Sequence, residues 1–413
     1  MSCSNLLIIG FVWPEPKSSA AGSRMLQLIE QFQQQGYQIT FACAANTSYN
    51  THDLSQLGIQ TQAIVLNDDS FDSFIIALNP EVVLFDRFMI EEQYGWRVAE
   101  HLPDALRILD TEDFHGLRKA RQKALKEDVA MTMTYLQNDT TKREIASIYR
   151  SDLSIMISEV EIEILTTYFN IDESLLCYLP FLLDPITENA IESTPTFNER
   201  NHFITIGNFL HAPNYDAVEH LKKDIWPVIR KSLPKAELHI YGAYPSQRVM
   251  QLHKPSEGFF IRGFAADVNE VMQQARVCLA PLRFGAGLKG KLIDAMHNGT
   301  PCVMSSIAAE GMFSHEAPNG FIEDDVMAFS KKAVALFTDE DTWQQKQQVG
   351  VKVINQRFDK SNFMNGFLER IQTLREQLTE HRQSNFIGNI LQHQTLQSTK
   401  YLSKWIEAKN NLD

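Results

Sequence analysis

The sequence predicts an α/β protein made of two parallel-sheet domains in succession. Three observations carry that prediction. A chain of 413 residues exceeds what one ordinary hydrophobic core serves. Short apolar runs alternate with amphipathic helical patterns, the order expected of a parallel sheet covered on both faces. The alternation stops once, in a stretch poor in apolar residues, and then restarts.

Residues 6–12 form a continuous apolar run, the mark of a strand buried on both faces. A loop with two prolines and the small residues 18–23 follow, then a helical pattern through Met25, Leu26, Ile29 and Phe32 that ends at Gly36. Residues 37–45 read as the second strand. Further strands are expected at 61–66, 81–85, 105–109, 153–157 and 175–179, and the longest helical pattern lies between 115 and 150. Residues 186–201, preceded by Pro185 and containing Pro195, read as a linker. Strands resume at 202–206, 237–241, 259–262, 277–280 and 302–304, with helices starting near Asn214, Pro245, Asp267, Lys291 and Asp325. Residues 359–383 read as one long amphipathic helix with Phe363, Phe367, Ile371, Leu374 and Leu378 on a stripe. The resulting division is 1–185 for the first domain, 186–201 for the linker, 202–358 for the second domain, 359–383 for the helix and 384–413 for a polar tail.

Composition narrows the class. Apolar residues make up 44% and charged residues 22%, as in soluble globular proteins. The net charge of -13 argues against general binding of nucleic acid or anionic membranes. Cys3, Cys43, Cys177, Cys278 and Cys302 are scattered without a CxxC pair, which suits buried thiols in a reducing compartment. The apolar run at 6–13 is too short for a membrane span and lacks a signal-peptide pattern, so a cytoplasmic protein is expected, with peripheral membrane contact left open.

The most informative stretch is residues 281–296. An apolar run leads into a loop with Gly285, Gly287 and Gly290, and the loop opens a helix pattern with Leu292, Ile293 and Met296. Glycines allow close backbone approach, and a helix start offers unpaired N–H groups at the positive end of its dipole. Arg283, Lys289 and Lys291 add fixed positive charge. The physical reading is a phosphate or diphosphate site. The same loop satisfies GxGxxG, with Glu310 standing 20 residues past Gly290, but it lies late in its domain and Glu310 lies beyond the next strand end. It also approaches a nucleotide P-loop, yet Leu292 stands where a magnesium-holding hydroxyl is required. Asp68 and Asp69 lack companions at ligand spacing, so no metal requirement is expected.

These residues resemble the family-4 glycosyltransferases, also called glycosyltransferases group 1, of the GT-B fold. The resemblance is closest over 202–311 and rests on ordered motifs: residues 203–214 with Gly207, Asn208, His211 and Asn214, residues 225–227, 238–242 and 261–265, and 280–296 followed by 299–303. It implies two Rossmann-like domains facing a cleft, with a nucleotide-sugar donor held mainly by the second. The donor, UDP- or GDP-linked, is then a substrate rather than a cofactor, and the acceptor is a glycan, lipid or other small molecule. By the same resemblance, Arg283, Gly287, Lys289 and Lys291 suit the diphosphate, with Gly22 approaching it from the first domain. Asp294 matches the acid that contacts ribose, and Gly263 and Phe264 lie where the base is met. The family's first acid should stand at 286, where this chain has Ala286.

A second cluster, Asp110, Glu112, Asp113, His115 and Arg118, follows a strand end of the first domain, where α/β sheets place ligands. His115 resembles the family histidine near the reacting carbon, and a helix-capping role is the other reading. Asp86, Arg87, Glu91 and Glu92 follow another strand end and suit either an acceptor or surface ion pairs. The expected catalytic group is therefore His115, Lys291 and Arg283, in a retaining, metal-independent transferase of polysaccharide or glycoconjugate synthesis. An oxidoreductase using a nucleotide cofactor and a weakly catalytic nucleotide-sugar-binding protein are the other classes compatible with these residues.

Overall fold

The computed structural model describes residues 4–393, together with Tyr401 and Trp405. Cys3 and most of the expected polar tail lie outside the described residues. Among them are two parallel sheets. The first contains β1 (Asn5–Gly10), β2 (Gln38–Cys43), β3 (Gln60–Ala63), β4 (Val82–Asp86), β5 (Leu106–Asp110), β6 (Leu153–Met156) and β7 (Leu176–Tyr178) in the order β3-β2-β1-β4-β5-β6-β7. The second contains β8 (His202–Ile206), β9 (Leu238–Tyr241), β10 (Phe259–Gly263), β11 (Ala275–Ala280), β12 (Cys302–Met304) and β13 (Gly320–Ile322) in the order β10-β9-β8-β11-β12-β13. The short β13 is absent from the sequence reading because only Phe321 and Ile322 mark it as apolar.

Each sheet is packed on both faces, which is why its central strands read as unbroken apolar runs. In β1, Leu6 and Ile8 enter one core with Ile29 and Phe32, while Leu7 and Ile9 enter the other with Val83 and Phe85. The second sheet divides likewise: Ile204 packs with Met296 and Cys278, whereas Phe203 packs with Trp226 and Phe259. Cys43, Cys278 and Cys302 are buried free thiols and Cys177 is half-buried.

Both sheets reverse direction of strand order at one place, between β1 and β4 in the first and between β8 and β11 in the second. Such switch points leave a crevice at the carboxyl ends of the strands, and ligands of open α/β sheets bind there.

Two expected helices are divided. The pattern at 115–150 forms His115–Lys126 and Asp139–Arg150. The break is local: Asp128 adopts a left-handed φ of 54°, and Asn138 caps the second helix through Thr141 N–H at 3.0 Å. The pattern at 359–383 is likewise broken into Lys360–Asn362, Met364–Glu376 and Leu378–Ser384. Its stripe nevertheless acts as one surface, since Phe367, Ile371 and Leu374 are buried in the first sheet's core beside Leu28 and Phe32. Arg382 secures the end of this segment by bonding Asp152 at 2.7 and 2.8 Å. Among the described residues no helix is long and apolar enough to cross a membrane.

Candidate active site

The glycine-lysine loop follows β11 and opens the helix Gly290–His297, so it lies at the second sheet's switch point. Lys289 is the residue before that helix, and both Lys289 and Lys291 are buried, at 7% and 9% exposure. Burial pushes each ammonium down to about 8. Lys289 folds back onto the loop, donating to Ala286 O at 3.2 Å and Gly287 O at 2.5 Å. Lys291 donates to Asn214 Oδ1 at 3.0 Å. Asp294 is one turn further along the same helix face, and burial pushes its carboxyl up to about 7 against the pull of Lys291.

Arg283 stands apart from this pair. Its guanidinium binds Asp216 at 2.9 and 2.5 Å and is 40% exposed. Asp216 and Asn214, the partner of Lys291, both lie on helix Ala212–His220. Two residues turn a helix by roughly 200°, so Arg283 and Lys291 address opposite sides of it. Arg283 instead borders a cavity of about 320 Å³ with Leu282, His220, Ser305 and Asp324.

The first half meets the loop closely. A Cβ on Gly287 (φ 64°) would stand 2.8 Å from Asp113 Cβ, and one on Gly290 would stand 2.4 Å from Ala20 Cβ. Gly22 itself has a packing reason to be glycine, since a Cβ there would meet the Glu15 main chain at 2.4 Å. Ala286, where an acid belongs by family resemblance, is 7% exposed and belongs to the first half's apolar cluster with Phe114 and Leu165. A carboxylate at that position would enter an apolar contact.

His115 begins the helix His115–Lys126, with no side-chain cap of its own. Glu144 from the next helix supplies the cap, accepting the N–H of His115 at 2.8 Å and of Gly116 at 2.6 Å. The helix-capping role for His115 is thus taken by Glu144, because a carboxylate suits the positive helix end. The His115 ring instead meets Asp113 O at 2.9 Å, Asp113 Oδ1 at 3.0 Å and Glu144 Oε1 at 3.2 Å, all through Nδ1. Three oxygens around Nδ1 fix a proton there. Burial opposes the imidazolium, but Asp113 and Glu144 outweigh it and raise the His115 pKa. Arg118, in the first turn of this helix, pairs with Asp113 in the loop before it.

Other strand ends of the first half are also charged and strained. Arg87 (φ 73°) and Glu112 (φ 62°) are left-handed although neither is glycine, a feature that concentrates at functional sites. Asp86 accepts Phe11 N–H at 2.9 Å, across the β1–β4 switch point. Burial, then repulsion from Asp110, pushes the Glu112 carboxyl up to about 8. Glu91 and Glu92 are committed elsewhere, to Arg150 and Arg143, in the ion-pair role.

Four participants are not marked as site residues by the sequence. Glu161 reaches Gly287 N–H at 2.6 Å, and Arg121 donates to Gly285 O at 2.8 Å and to both oxygens of Glu310 at 2.8 and 2.6 Å. That ion pair removes Glu310 from the role of a ribose-binding acid in a dinucleotide site. His211 keeps an exposed surface, yet the protein around it, then Arg118, pushes its imidazole down against the pull of Asp113, with Lys291 and His115 also lowering it. His211 and Asn214 sit in one short motif, which was the available signal; Glu161 and Arg121 had none. At the far edge, Gly263 (φ 76°) has open space where a Cβ would be, and Phe264 is 36% exposed beside it.

Residues 200–339, which include both lysines and the glycine loop, match the family model Glycosyl transferases group 1. Residues 200–339 form a group 1 glycosyltransferase domain. The whole-chain architecture agrees with this assignment. A sucrose-phosphate synthase from Thermosynechococcus elongatus superposes with a TM-score of 0.68 at 14% identity, over 90% of this chain and 99% of that one. Anabaena Alr3699/HepE in complex with UDP-glucose gives 0.68 at 11% identity, over 90% and 100% of the two chains. A glycosyltransferase from Rickettsia africae gives 0.62 at 12% identity, over 89% and 98%. No curated protein matches the chain in sequence. The two-sheet arrangement is the GT-B fold, and the chain is an enzyme of the glycosyltransferase class. Among the described residues no group of three or more histidine, cysteine, aspartate or glutamate side chains is arranged to hold a metal ion.

Proposed function

We propose that the enzyme transfers a sugar from a nucleoside-diphosphate donor to a hydroxyl-bearing acceptor in the crevice between the two sheets. The observation that carries this reading is the pair of buried lysines at a helix start on the second sheet's switch point, opposed across the seam by Asp113. In this reading the donor diphosphate lies on Lys289, Lys291 and the first N–H groups of helix Gly290–His297. Asp294 accepts the ribose hydroxyls, and the base lies along Gly263 and Phe264. Gly22 and Ala20 close over the diphosphate from the first half. Arg283 has no donor contact here, being bound to Asp216.

Transfer breaks the bond between the anomeric carbon and the phosphate oxygen, and the electron pair leaves on the diphosphate. Two ammonium groups and a helix start, placed in a water-poor crevice, stabilise that growing charge. The proposed reaction needs no divalent ion, because the lysines supply the charge. His115, with its proton fixed on Nδ1 by Asp113, faces the sugar near the reacting carbon. The acceptor enters over the carboxyl ends of β1 and β4, attacks on the face the diphosphate leaves, and gives its proton to that diphosphate. The anomeric configuration is thereby retained.

UDP is the first nucleotide to test, because Alr3699/HepE binds UDP-glucose. Purified enzyme with UDP-glucose, UDP-galactose, UDP-N-acetylglucosamine or GDP-mannose, in the presence of EDTA, is expected to release nucleoside diphosphate slowly without acceptor. Absence of release and of binding for all four would overturn the donor reading. NMR of the product's anomeric proton tests retention.

A further inference from the structure

Glu161 is a carboxylate that the chemistry above does not use. It lies at the start of helix Glu159–Phe169 in the first half and is wholly buried, at 0% exposure. Its Oε1 accepts the N–H of Phe114 at 3.1 Å and, across the seam, the N–H of Gly287 at 2.6 Å. Its Oε2 is also buried and has no hydrogen-bond partner. A carboxylate serving only as a strut satisfies both oxygens, because a buried polar atom without a partner costs free energy.

The surroundings indicate what would satisfy it. Both signs meet at the loop: Lys289 donates to Gly287 O at 2.5 Å, Glu161 accepts Gly287 N–H at 2.6 Å, and a Cβ on Gly287 would stand 2.8 Å from Asp113 Cβ. A nucleotide sugar brings an anionic diphosphate for the ammonium groups and a neutral, hydroxyl-rich ring for the carboxylates. Repulsion keeps the diphosphate from the two carboxylates, whereas sugar hydroxyls are donors for them. The loop's own side chain at this place is Ala286, turned into the apolar cluster, so it offers no acceptor.

We propose that Glu161, delivered from the first half, accepts a hydroxyl of the transferred sugar through Oε2 and so determines which sugar the enzyme takes. This rests on the donor reading given above. With the halves together Oε2 is closed to solvent, so the sugar reaches it when the Glu161–Gly287 contact parts. Burial and then Asp113 push the Glu161 carboxyl up to about 7, and a hydroxyl on Oε2 would favour the carboxylate form. The seam contact is made by Oε1 of the same carboxylate, so one side chain links closure to sugar identity.

The test is Glu161→Gln, which keeps an oxygen for Phe114 and Gly287 and replaces Oε2 by an NH₂ group. Calorimetry compares UDP with whichever of UDP-glucose, UDP-galactose and UDP-N-acetylglucosamine the wild type hydrolyses fastest, and with the 2-, 3- and 4-deoxy forms of that sugar nucleotide. The expected result is unchanged affinity for UDP and affinity for the intact UDP-sugar lower by about 10- to 100-fold. One deoxy form should bind the wild type poorly yet lose nothing further in the variant. Equal losses for UDP and UDP-sugar, or unaltered discrimination among the deoxy forms, would overturn the proposal. Should Glu161→Gln fail to fold, Glu161→Asp, which keeps the charge on a shorter stem, is put through the same deoxy comparison with the same criteria. Failure of the wild type to bind UDP or any of the three sugars would instead remove the donor reading itself.

Discussion

Arg121 grips Glu310 with two parallel hydrogen bonds, 2.8 and 2.6 Å long, and the same guanidinium reaches Gly285 O at 2.8 Å. One residue of the first half thus holds both the glycine loop and the segment after β12. The pair is largely withdrawn from solvent, with side chains 13% and 19% exposed.

Arg121→Ala is expected to leave Glu310 and Gly285 O without their partner, at a cost of about 1–3 kcal/mol. The readouts are the melting temperature and the UDP-sugar KM, with the first falling and the second rising. Arg121→Lys should recover little, since a lysine cannot match both oxygens. The charge-swapped pair Arg121→Glu with Glu310→Arg should recover more than either single change; a strictly additive double variant would show that the two side chains do not interact.

Lys291→Ala is expected to lower donor turnover by about 10²- to 10³-fold, the scale of losing one charge stabiliser in a transition state. The fold should survive, because the lysine is costly to bury and its partner Asn214 is also held by its own bond to Asn208 O at 3.0 Å. Steady-state UDP release and a thermal melt on the same sample check both halves of this statement. Near-normal turnover would remove Lys291 from the diphosphate.

Ala286→Glu restores an acid to the loop, yet it is expected to weaken the enzyme. The new carboxylate would enter the cluster containing Phe114 and Leu165, at about 2–4 kcal/mol for an unpaired buried charge. Lower melting temperature and slower UDP release are the predicted readings. Faster release would mean that the loop, rather than Glu161, is the natural place for a sugar-binding acid.

Lys289 and Lys291 give a pH signature. Each is depressed from 10.5 to about 8 in the folded chain. Between those values the unfolded state binds more protons, so these two groups make stability rise as pH increases from about 8 to 10.5. Below about 8 both states carry the charges and the burial cost is felt in full. Bound diphosphate offsets that cost only while the lysines are cationic. The thermal shift produced by UDP should therefore be larger at a pH near 7 than at one near 9.5, and a shift indifferent to pH would separate the lysines from the ligand.

The sequence by itself determined the repeated strand-helix order, the two sheets and the glycine-lysine loop at a strand-to-helix junction. These are local patterns: unbroken apolar runs for strands buried on both faces, amphipathic periods for the helices, and glycines before a helix start. The tertiary structure alone decided which charges act together. Lys291 and Arg283 are eight residues apart in sequence, yet their partners Asn214 and Asp216 lie on opposite sides of helix Ala212–His220. Glu161 and Gly287 meet across 126 positions of chain, and Arg121 and Glu310 across 189. No periodicity marks such pairs, because they form where two independently patterned sheets come face to face. Ala286 shows the reason most plainly: in the sequence it is a missing acid, and in the fold it is an apolar contact made by the opposite half.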